Sequence, residues 1–404
     1  MDKIMERIEG GITAVEGFSA AGTFAGVKKV EKADLALIFS ETVCNVAGVF
    51  TKNRFPAPPL LLDRKHLRKR KGQAILANSG NANAFTGERG YRDAEAMAAA
   101  AARALSVPVE SVYVASTGVI GEFLPIEKIT GAVPRLVSQL SHGGGRAAAE
   151  AIMTTDTFSK EIALAGEVGR QEVKIGGIAK GSGMIHPNMA TMLAFLATDA
   201  AIQPHLLQEA LRQAADRSFN RITVDGDTST NDMVLCFANG RRGREIRSKG
   251  RAYNQFVSLL EGACLSLAKM IVRDGEGATK LVEITVTGAR SDSAARRIAE
   301  SIARSNLVKT AFFGQDANWG RIVAAIGNAG VPVEPEQINL SFGPVALLRK
   351  GVYQGKEAEA KVAELLKQRE VELGVHLHSG KGHAAFWTSD LSFDYVKINA
   401  AYRS

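Results

Sequence analysis

Hydrophobic and polar positions alternate from Glu172 to Lys180 and predict a strand that runs into the glycine-rich turn Gly181-Ser182-Gly183. Beyond that turn, Met192 to Thr198 is an apolar run, the pattern of a strand buried on both faces. Earlier in the chain, Asp93 to Leu105 is rich in strong helix formers and stops before Pro108. Val112 to Ser116 then reads as a strand, so Thr117 and Gly118 fall at a strand end, where a backbone amide can point into a site. Leu206 to Ser218 and Tyr253 to Val272 read as helices, the second with apolar residues at helical spacing. Past Lys280 the alternation returns over Val282 to Gly288, a short helix is predicted from Ser293 to Ala303, and the shift places a candidate boundary near residue 285. A last hairpin is predicted over Val375 to Gly382, followed by Ala384 to Trp387 and Leu391 to Ile398. No internal repeat and no long linker interrupts the series, and mixed strands and helices in this order fit an α+β or layered α/β chain.

At 404 residues the chain exceeds the size at which one core keeps growing, so two or more domains are expected. Hydrophobic content of 46% with 23% charged residues is ordinary for a soluble globular protein. Met1 to Arg7 is charged and leads into no apolar signal core, and no uninterrupted apolar stretch of about 18 residues occurs. The expectation is a cytoplasmic protein without a membrane partner. Cys44, Cys236 and Cys264 lie far apart in apolar settings and read as core thiols, not as a disulfide framework or a zinc ribbon. The net charge of +8 would attract an acidic amino acid, an acyl-CoA or nucleic acid alike. The basic runs Arg64 to Lys71 and Arg241 to Arg244 lack interleaved aromatics and match no nucleic-acid-binding signature, so they read as solvated faces and no nucleic-acid partner is expected.

The segment between the two central strands carries the candidate chemistry. In Lys180-Gly-Ser-Gly-Met-Ile-His-Pro-Asn-Met-Ala190-Thr191 a threonine stands at the head of an apolar run, directly after a small residue. A threonine hydroxyl is a poor nucleophile near its free pKa, and one remedy is to make it the first residue of a chain, so that its own α-amine is the base. That amine has an ordinary pKa of about 8 and is readily neutral at working pH. The Ala190–Thr191 bond would break by attack of the Thr191 hydroxyl on the Ala190 carbonyl, an acyl shift to an ester, and hydrolysis. Beside this stands the plainer reading of Thr191 as a strand threonine after a turn. Lys180 is either a solvated strand-end lysine or a cation that contacts substrate and lowers the pKa of the amine. The Lys180-Gly-Ser-Gly turn is no Walker A sequence, so nucleoside triphosphates are not expected. Thr117-Gly118 is either a turn or a pair of donors for an oxyanion. His186, before Pro187, reads as a structural loop histidine. His376 and His378 alternate onto one strand face as a metal pair that no nearby carboxylate or cysteine completes, with His383 close by, and no metal is expected.

Gly10 to Ala14, Asn78 to Ala84, Ser116 to Gly121, Met153 to Thr157, the segment around Thr191, Thr223 to Asp232, Asp274 to Lys280 and Ile398 to Ser404 follow one another in an order and spacing that resemble the ornithine acetyltransferase family nearly end to end. The resemblance implies transfer of an acetyl group from N-acetylornithine to glutamate through an acetyl-Thr191 intermediate, in arginine biosynthesis. It implies a precursor that cuts itself between Ala190 and Thr191 into two fragments that stay together, as an α2β2 heterotetramer. It also implies an αββα-type sandwich of the self-processing N-terminal-nucleophile kind with a smaller C-terminal α/β domain. Residues 1–190 and 191–285 would build the sandwich and 286–404 the smaller domain, whose terminus returns to the site. By motif match Thr191 is the nucleophile, Thr117 and Gly118 form the oxyanion hole, and Thr154, Lys180, Glu276, Asn399 and Ser404 bind substrate, with Glu276 facing its ammonium group. No cofactor is implied, although some members accept acetyl-CoA as a second donor. That bifunctional form is the expectation here, with the basic stretches near Arg68 and Arg241 as candidate surfaces for the CoA phosphates. Three positions depart from the family pattern: Ser159 and Ala317 stand where proline is usual, the latter in the segment ending Asn318-Trp319-Gly320-Arg321, and Ser404 stands where threonine is common. The nearest rival is a self-processed aminopeptidase or amidase, which hands the acyl group to water.

Overall fold

The computed structural model describes residues 5–186 and 192–401, so Ala190, Thr191 and Ser404 lie outside the described residues. The long strand Leu35–Phe50 organises the first sheet. Its later residues pair antiparallel with Met233–Ile246, while its earlier ones pair with Phe18–Thr23 on one side and Lys71–Asn81 on the other. The register against Lys71–Asn81 shifts between Phe39 and Cys44, the kind of irregularity at which a strand changes direction. Outward from Met233–Ile246 lie Leu193–Ile202, Gln171–Lys180, Lys160–Val168 and Glu6–Arg7, and outward from Lys71–Asn81 lies Val112–Val119. Nine strands among the described residues thus form one hydrogen-bonded sheet.

That sheet doubles back into two layers around an inner core to which both halves contribute: Ile38, Ile75 and Tyr113 from one, Phe195, Leu235 and Phe237 from the other. Tyr113 and Phe237 meet edge to face at 5.5 Å across the layers. Gly72 makes room for them, since a Cβ there would lie 2.8 Å from the Tyr113 ring and 3.0 Å from the Phe237 ring. Outside one layer, Pro204–Arg217 and Arg251–Arg273 set Leu207, Leu211, Leu260 and Leu267 against Ile175, Leu196 and Cys236. Arg251–Arg273 is long and apolar enough to cross a membrane by length and composition, and here that apolar character packs into the outer core. Outside the other layer, Gly87–Leu105 and Ile126–Ser138 set Met97, Ile129 and Val133 against Leu37, Leu76 and Val114. The order helix, sheet, sheet, helix is the αββα sandwich. Leu193–Ile202 feeds Ala194 and Leu196 to the outer core and Leu193, Phe195 and Ala197 to the inner one, which is why its sequence is apolar at successive positions. Cys44, Cys236 and Cys264 are buried and unpaired, as core thiols.

A second sheet, of seven strands among the described residues, runs in the order Val352–Tyr353, Val345–Arg349, Asn339–Phe342, Glu370–His376, Leu281–Ala289, Gly382–Ser389 and Ile222–Thr223. The helices Asp292–Arg304, Asn306–Phe313, Trp319–Gly327 and Lys356–Leu365 supply Ile298, Phe312, Ile326 and Val362 to its core. Two expectations are corrected here. Glu370–His376 and Gly382–Ser389 do not pair with each other as a hairpin; Leu281–Ala289 lies between them, parallel to the first and antiparallel to the second. Val282, Ile284 and Val286 are fully buried, and a central position in the sheet is what such a strand requires. The stretch Leu391 to Ile398 is not a strand either. Asp390 turns the chain by accepting the backbone N–H groups of Thr279 and Lys280, and Ser392 Oγ accepts the N–H of Tyr395 at 3.4 Å, so the helix Phe393–Ala401 starts instead.

Phe237→Ala empties part of the inner core and is expected to cost about 3–5 kcal/mol in denaturant unfolding. A loss below about 1 kcal/mol would contradict a core shared by two layers.

Candidate active site

Strand ends and loops from distant parts of the chain converge on a cavity of about 280 Å³. Val112–Val119 brings Thr117 and Gly118, Gln171–Lys180 ends on Lys180, the loop before Lys160–Val168 brings Thr154, the turn after Arg251–Arg273 brings Glu276, and Phe393–Ala401 brings Asn399. The structure therefore gathers Thr117, Gly118, Thr154, Lys180, Glu276 and Asn399 around one space, while Ala190, Thr191 and Ser404 lie outside the described residues. The sequence did not mark Asp225, Asp227, Ser229, Asn231 or Tyr395 individually, yet they complete the wall.

Lys180 is buried, and its Nζ donates to Thr154 Oγ1 at 2.7 Å and to Thr117 Oγ1 at 3.3 Å. Burial lowers its pKa, against the pull of Asp156 in the other direction. Behind it sits a second, fully enclosed ammonium that sequence reading missed. Lys160 Nζ donates to Asp156 Oδ1 at 2.7 Å and to Asp274 Oδ2 at 2.5 Å. Each carboxylate also collects backbone donors. Asp156 accepts the N–H of Gly181 at 2.7 Å and that of Thr154 at 2.9 Å, and Asp274 accepts the N–H of Thr157 at 3.0 Å. One cation thereby ties down the segments that carry Thr154, Lys180 and Glu276. Burial alone would push the Asp156 carboxyl up, but Lys180, Lys160 and the Gly181 N–H outweigh it and hold the group at about 2.

The Gly-Ser-Gly turn permits close packing. A Cβ on Gly183 would lie 2.4 Å from the Glu276 carboxylate, so glycine lets that side chain cross the turn. Glu276 donates its N–H to the Ser182 carbonyl at 2.9 Å, and its Oε2 accepts from Asn399 Nδ2 at 2.8 Å. On the opposite wall Gly118 has φ +133° and touches Gly80 so closely that a Cβ would lie 2.3 Å from the Gly80 carbonyl carbon. The Asn78 to Ala84 block is the buried support for this strand end. Ser116 Oγ donates to Asn78 Oδ1 at 2.6 Å, and Asn231 Nδ2 donates to the carbonyls of Ala82 at 2.6 Å and Ser116 at 2.9 Å.

The chain is held on both sides of residues 187–191. Asp225 accepts the N–H groups of Met184 at 2.6 Å and Ile185 at 2.9 Å. Asp232 Oδ1 accepts the N–H of Met192, the residue after Thr191, at 3.0 Å; its other oxygen is buried with no hydrogen-bond partner among the described residues, and burial raises its pKa well above its ordinary value. His186 is buried, with Nε2 3.5 Å from Glu300 and Nδ1 3.4 Å from Thr223 Oγ1, which fits a loop-fixing role. His376 Nδ1 meets Thr287 Oγ1 at 2.9 Å and His378 Nε2 accepts from Asn339 at 3.0 Å, and no group of three metal-ligating side chains occurs among the described residues. The basic stretches near Arg68 and Arg241 are remote. Arg241 lies roughly 25 Å of strand from Met233, and Arg241 and Arg242 pair with Glu41 and Glu16. Arg68 precedes Lys71–Asn81 at the end away from Asn81.

A cation fixed at one wall and a carboxylate at another suit a small zwitterion, with two hydroxyls and a left-handed glycine beside them. A model of the ArgJ family matches residues 19–404. The chain is 50% identical over 403 residues to the arginine biosynthesis bifunctional protein ArgJ of Symbiobacterium thermophilum, covering 99% of this chain and 100% of that one. It is 51% identical over 391 residues to the protein of the same name from Geobacter sulfurreducens, covering 96% and 100%. Among solved structures, arginine biosynthesis bifunctional protein argJ from Bacillus halodurans is 46% identical with a TM-score of 0.50, over 52% of this chain and 98% of that one.

Removing the buried cation leaves two carboxylates facing each other without compensation, so Lys160→Met is expected to destabilise by about 3–5 kcal/mol. The pH dependence has a definite sign. A carboxyl lowered from 3.8 to about 2 stabilises the fold fully above its unfolded value and loses that contribution, about 2 kcal/mol, as pH falls through its folded value. The difference in unfolding free energy between wild type and Asp156→Asn should be level above about pH 4 and shrink between about pH 4 and pH 2. A difference that stays level to pH 2 contradicts the assignment.

Proposed function

The chain belongs to the ArgJ family and is an enzyme of arginine biosynthesis, and from that membership we propose how its own residues act. It moves an acetyl group from N-acetylornithine to glutamate through an ester on Thr191, after cutting itself between Ala190 and Thr191. The observation that carries this reading is the convergence of Lys180, Thr154, Thr117 and Glu276 on one cavity, beside the strand whose preceding N–H, that of Met192, is fixed by Asp232.

In the precursor, Thr191 Oγ attacks the Ala190 carbonyl, the peptide nitrogen leaves as the Thr191 amine, and water hydrolyses the ester to free the hydroxyl and the Ala190 carboxylate. In turnover the same hydroxyl attacks the acetyl carbonyl of the donor while the α-amine takes its proton. Ornithine departs with that proton, and the glutamate amine then takes the acetyl group from the ester. The Lys180 ammonium favours a neutral α-amine nearby. Thr117 and Gly118 stabilise the oxyanion, Glu276 and Asn399 receive the substrate ammonium, and Thr154 and Ser404 complete the substrate contacts. No cofactor is required; acetyl-CoA enters as a second donor.

The strand pairing supports two fragments that stay together. Leu193–Ile202 pairs with Gln171–Lys180 on one side and Met233–Ile246 on the other, so a cut at residue 190 leaves a central strand of the second fragment paired with a strand of the first. The solved Bacillus halodurans chain, matched over 98% of its length yet spanning 52% of this chain, is itself about half as long, which supports a family found in two pieces. Two such pairs form the heterotetramer, and the enzyme works in the cytoplasm.

Purified protein is expected as two co-purifying fragments, the second starting Thr-Met-Leu on Edman sequencing, and Thr191→Ala as one intact inactive chain. Active enzyme with no such amino terminus would sink the mechanism. Release of free acetate in place of acetylglutamate would point to the hydrolase instead. Thr117→Ala should lower kcat by about a hundredfold to a thousandfold, as loss of one oxyanion donor does. Full turnover in that variant would strike the Thr117 side chain from the mechanism.

A further inference from the structure

The reaction cavity, at about 280 Å³, suits an amino acid; a nucleotide carrier needs space elsewhere. A cleft of about 1150 Å³ opens between Asp292–Arg304 and Trp319–Gly327. Arg297 and Arg304 stand two turns apart on one face of the first helix, and Arg321 faces them from the second. The Asn318 to Arg321 segment, which had no role in the sequence reading, forms that second wall.

Among the described residues the one acidic member of the lining, Glu300, is already engaged: its Oε1 lies 3.5 Å from His186 Nε2 and 4.0 Å from Arg304 Nη1. Arg321 is oriented by Nη1 donating to the Leu307 carbonyl at 2.9 Å and to Thr310 Oγ1 at 3.3 Å, which leaves other donors of its guanidinium unspent. Three guanidinium groups around one committed carboxylate make a site for clustered negative charge, and planar forked donors match phosphate.

The cleft also adjoins the reaction cavity. Arg304 Nε lies 3.8 Å from where a Cβ on Gly226 would stand, and Gly226 sits between Asp225 and Asp227, both of which line that cavity. From the other side, the Glu300–His186 contact joins the cleft wall to the segment that leads to Thr191. A long donor lying across Gly226 would place phosphates on the arginines and its acyl end in the reaction cavity.

We infer that the cleft lined by Arg297, Arg304 and Arg321 binds the phosphates of acetyl-CoA as acyl donor, and that the basic stretches near Arg68 and Arg241 do not. This rests on the Thr191 reading above. The Thr191 hydroxyl attacks the thioester carbonyl, the carbon–sulfur bond breaks as the carbon–oxygen bond forms, and the hydroxyl proton passes through the α-amine to the leaving thiolate, giving free CoA.

The test compares wild type, Arg297→Ala/Arg304→Ala and Arg304→Glu in three measurements: equilibrium binding of CoA, KM for acetyl-CoA, and acetyl exchange between acetylornithine and glutamate. We expect CoA affinity to fall, and KM for acetyl-CoA to rise, by about tenfold or more per guanidinium lost. Exchange from acetylornithine should be unchanged, which also certifies folding. Pyrophosphate should compete with CoA in wild type, and dephospho-CoA should bind more weakly than CoA. If the variants bind CoA as wild type does, the cleft is not the site. If wild type exchanges acetyl groups between the amino acids but neither binds CoA nor accepts acetyl-CoA, the donor inference falls while the Thr191 reading stands. If the exchange itself is absent, the Thr191 reading falls.

Discussion

The buried ammonium of Lys160, caught between the carboxylates of Asp156 and Asp274, is the contact on which the site's geometry depends. Taking three charges out of water is costly, and mutual attraction offsets that cost only when the remaining hydrogen-bonding capacity is filled. Here it is filled by backbone. The N–H groups of Gly181, Thr154 and Thr157 complete the two carboxylates, so satisfying the charges also fixes the loops around them. The arrangement these contacts fix is the one that presents Lys180, Thr154 and Glu276 to a common cavity.

A second constraint is the doubling of the first sheet. Because one hydrogen-bonded sheet supplies both layers, the strand before the glycine-rich turn and the strand after Thr191 are immediate neighbours, with Lys180 opposite Leu193. Residues 181–192 therefore connect two adjacent strand ends, and a break there would remove a covalent link without removing a strand. Further parts of the cavity wall come from the second sheet's side, through the Asp225 to Asn231 loop that follows its edge strand Ile222–Thr223.

Four of the helices, Gly87–Leu105, Pro204–Arg217, Arg251–Arg273 and Asp292–Arg304, and the strands around the site were legible because their patterns are local. The apolar run after Thr191 packs into both cores, and Thr117–Gly118 does fall at a strand end. Motif blocks drew attention to six residues that now surround one cavity. Other features were illegible for a physical reason. Lys160 and Asp274 are 114 residues apart, and nothing in either local stretch reveals that they meet. Asn231 and Asp232 stood inside a quoted block, but their partners, Ala82, Ser116 and Met192, are set by tertiary packing. The last hairpin was misread because alternation reports a half-buried strand without saying which strand lies beside it. The stretch after Leu391 alternates by coincidence, and a serine cap decides for helix. Basic runs are conspicuous in sequence yet remote in space, whereas the arginines of the cleft are scattered and become a cluster only when two helices pack.

The measurement that addresses the account most directly is a rapid quench of the enzyme with N-acetylornithine in the absence of glutamate, followed by mass spectrometry of the fragments. The account predicts one acetyl group on the fragment that begins at Thr191, located by peptide mapping on the threonine hydroxyl, and its disappearance when glutamate is added. Steady turnover with no acetylated fragment at any quench time, or an acetyl group on another residue that is discharged by glutamate at the turnover rate, would contradict it.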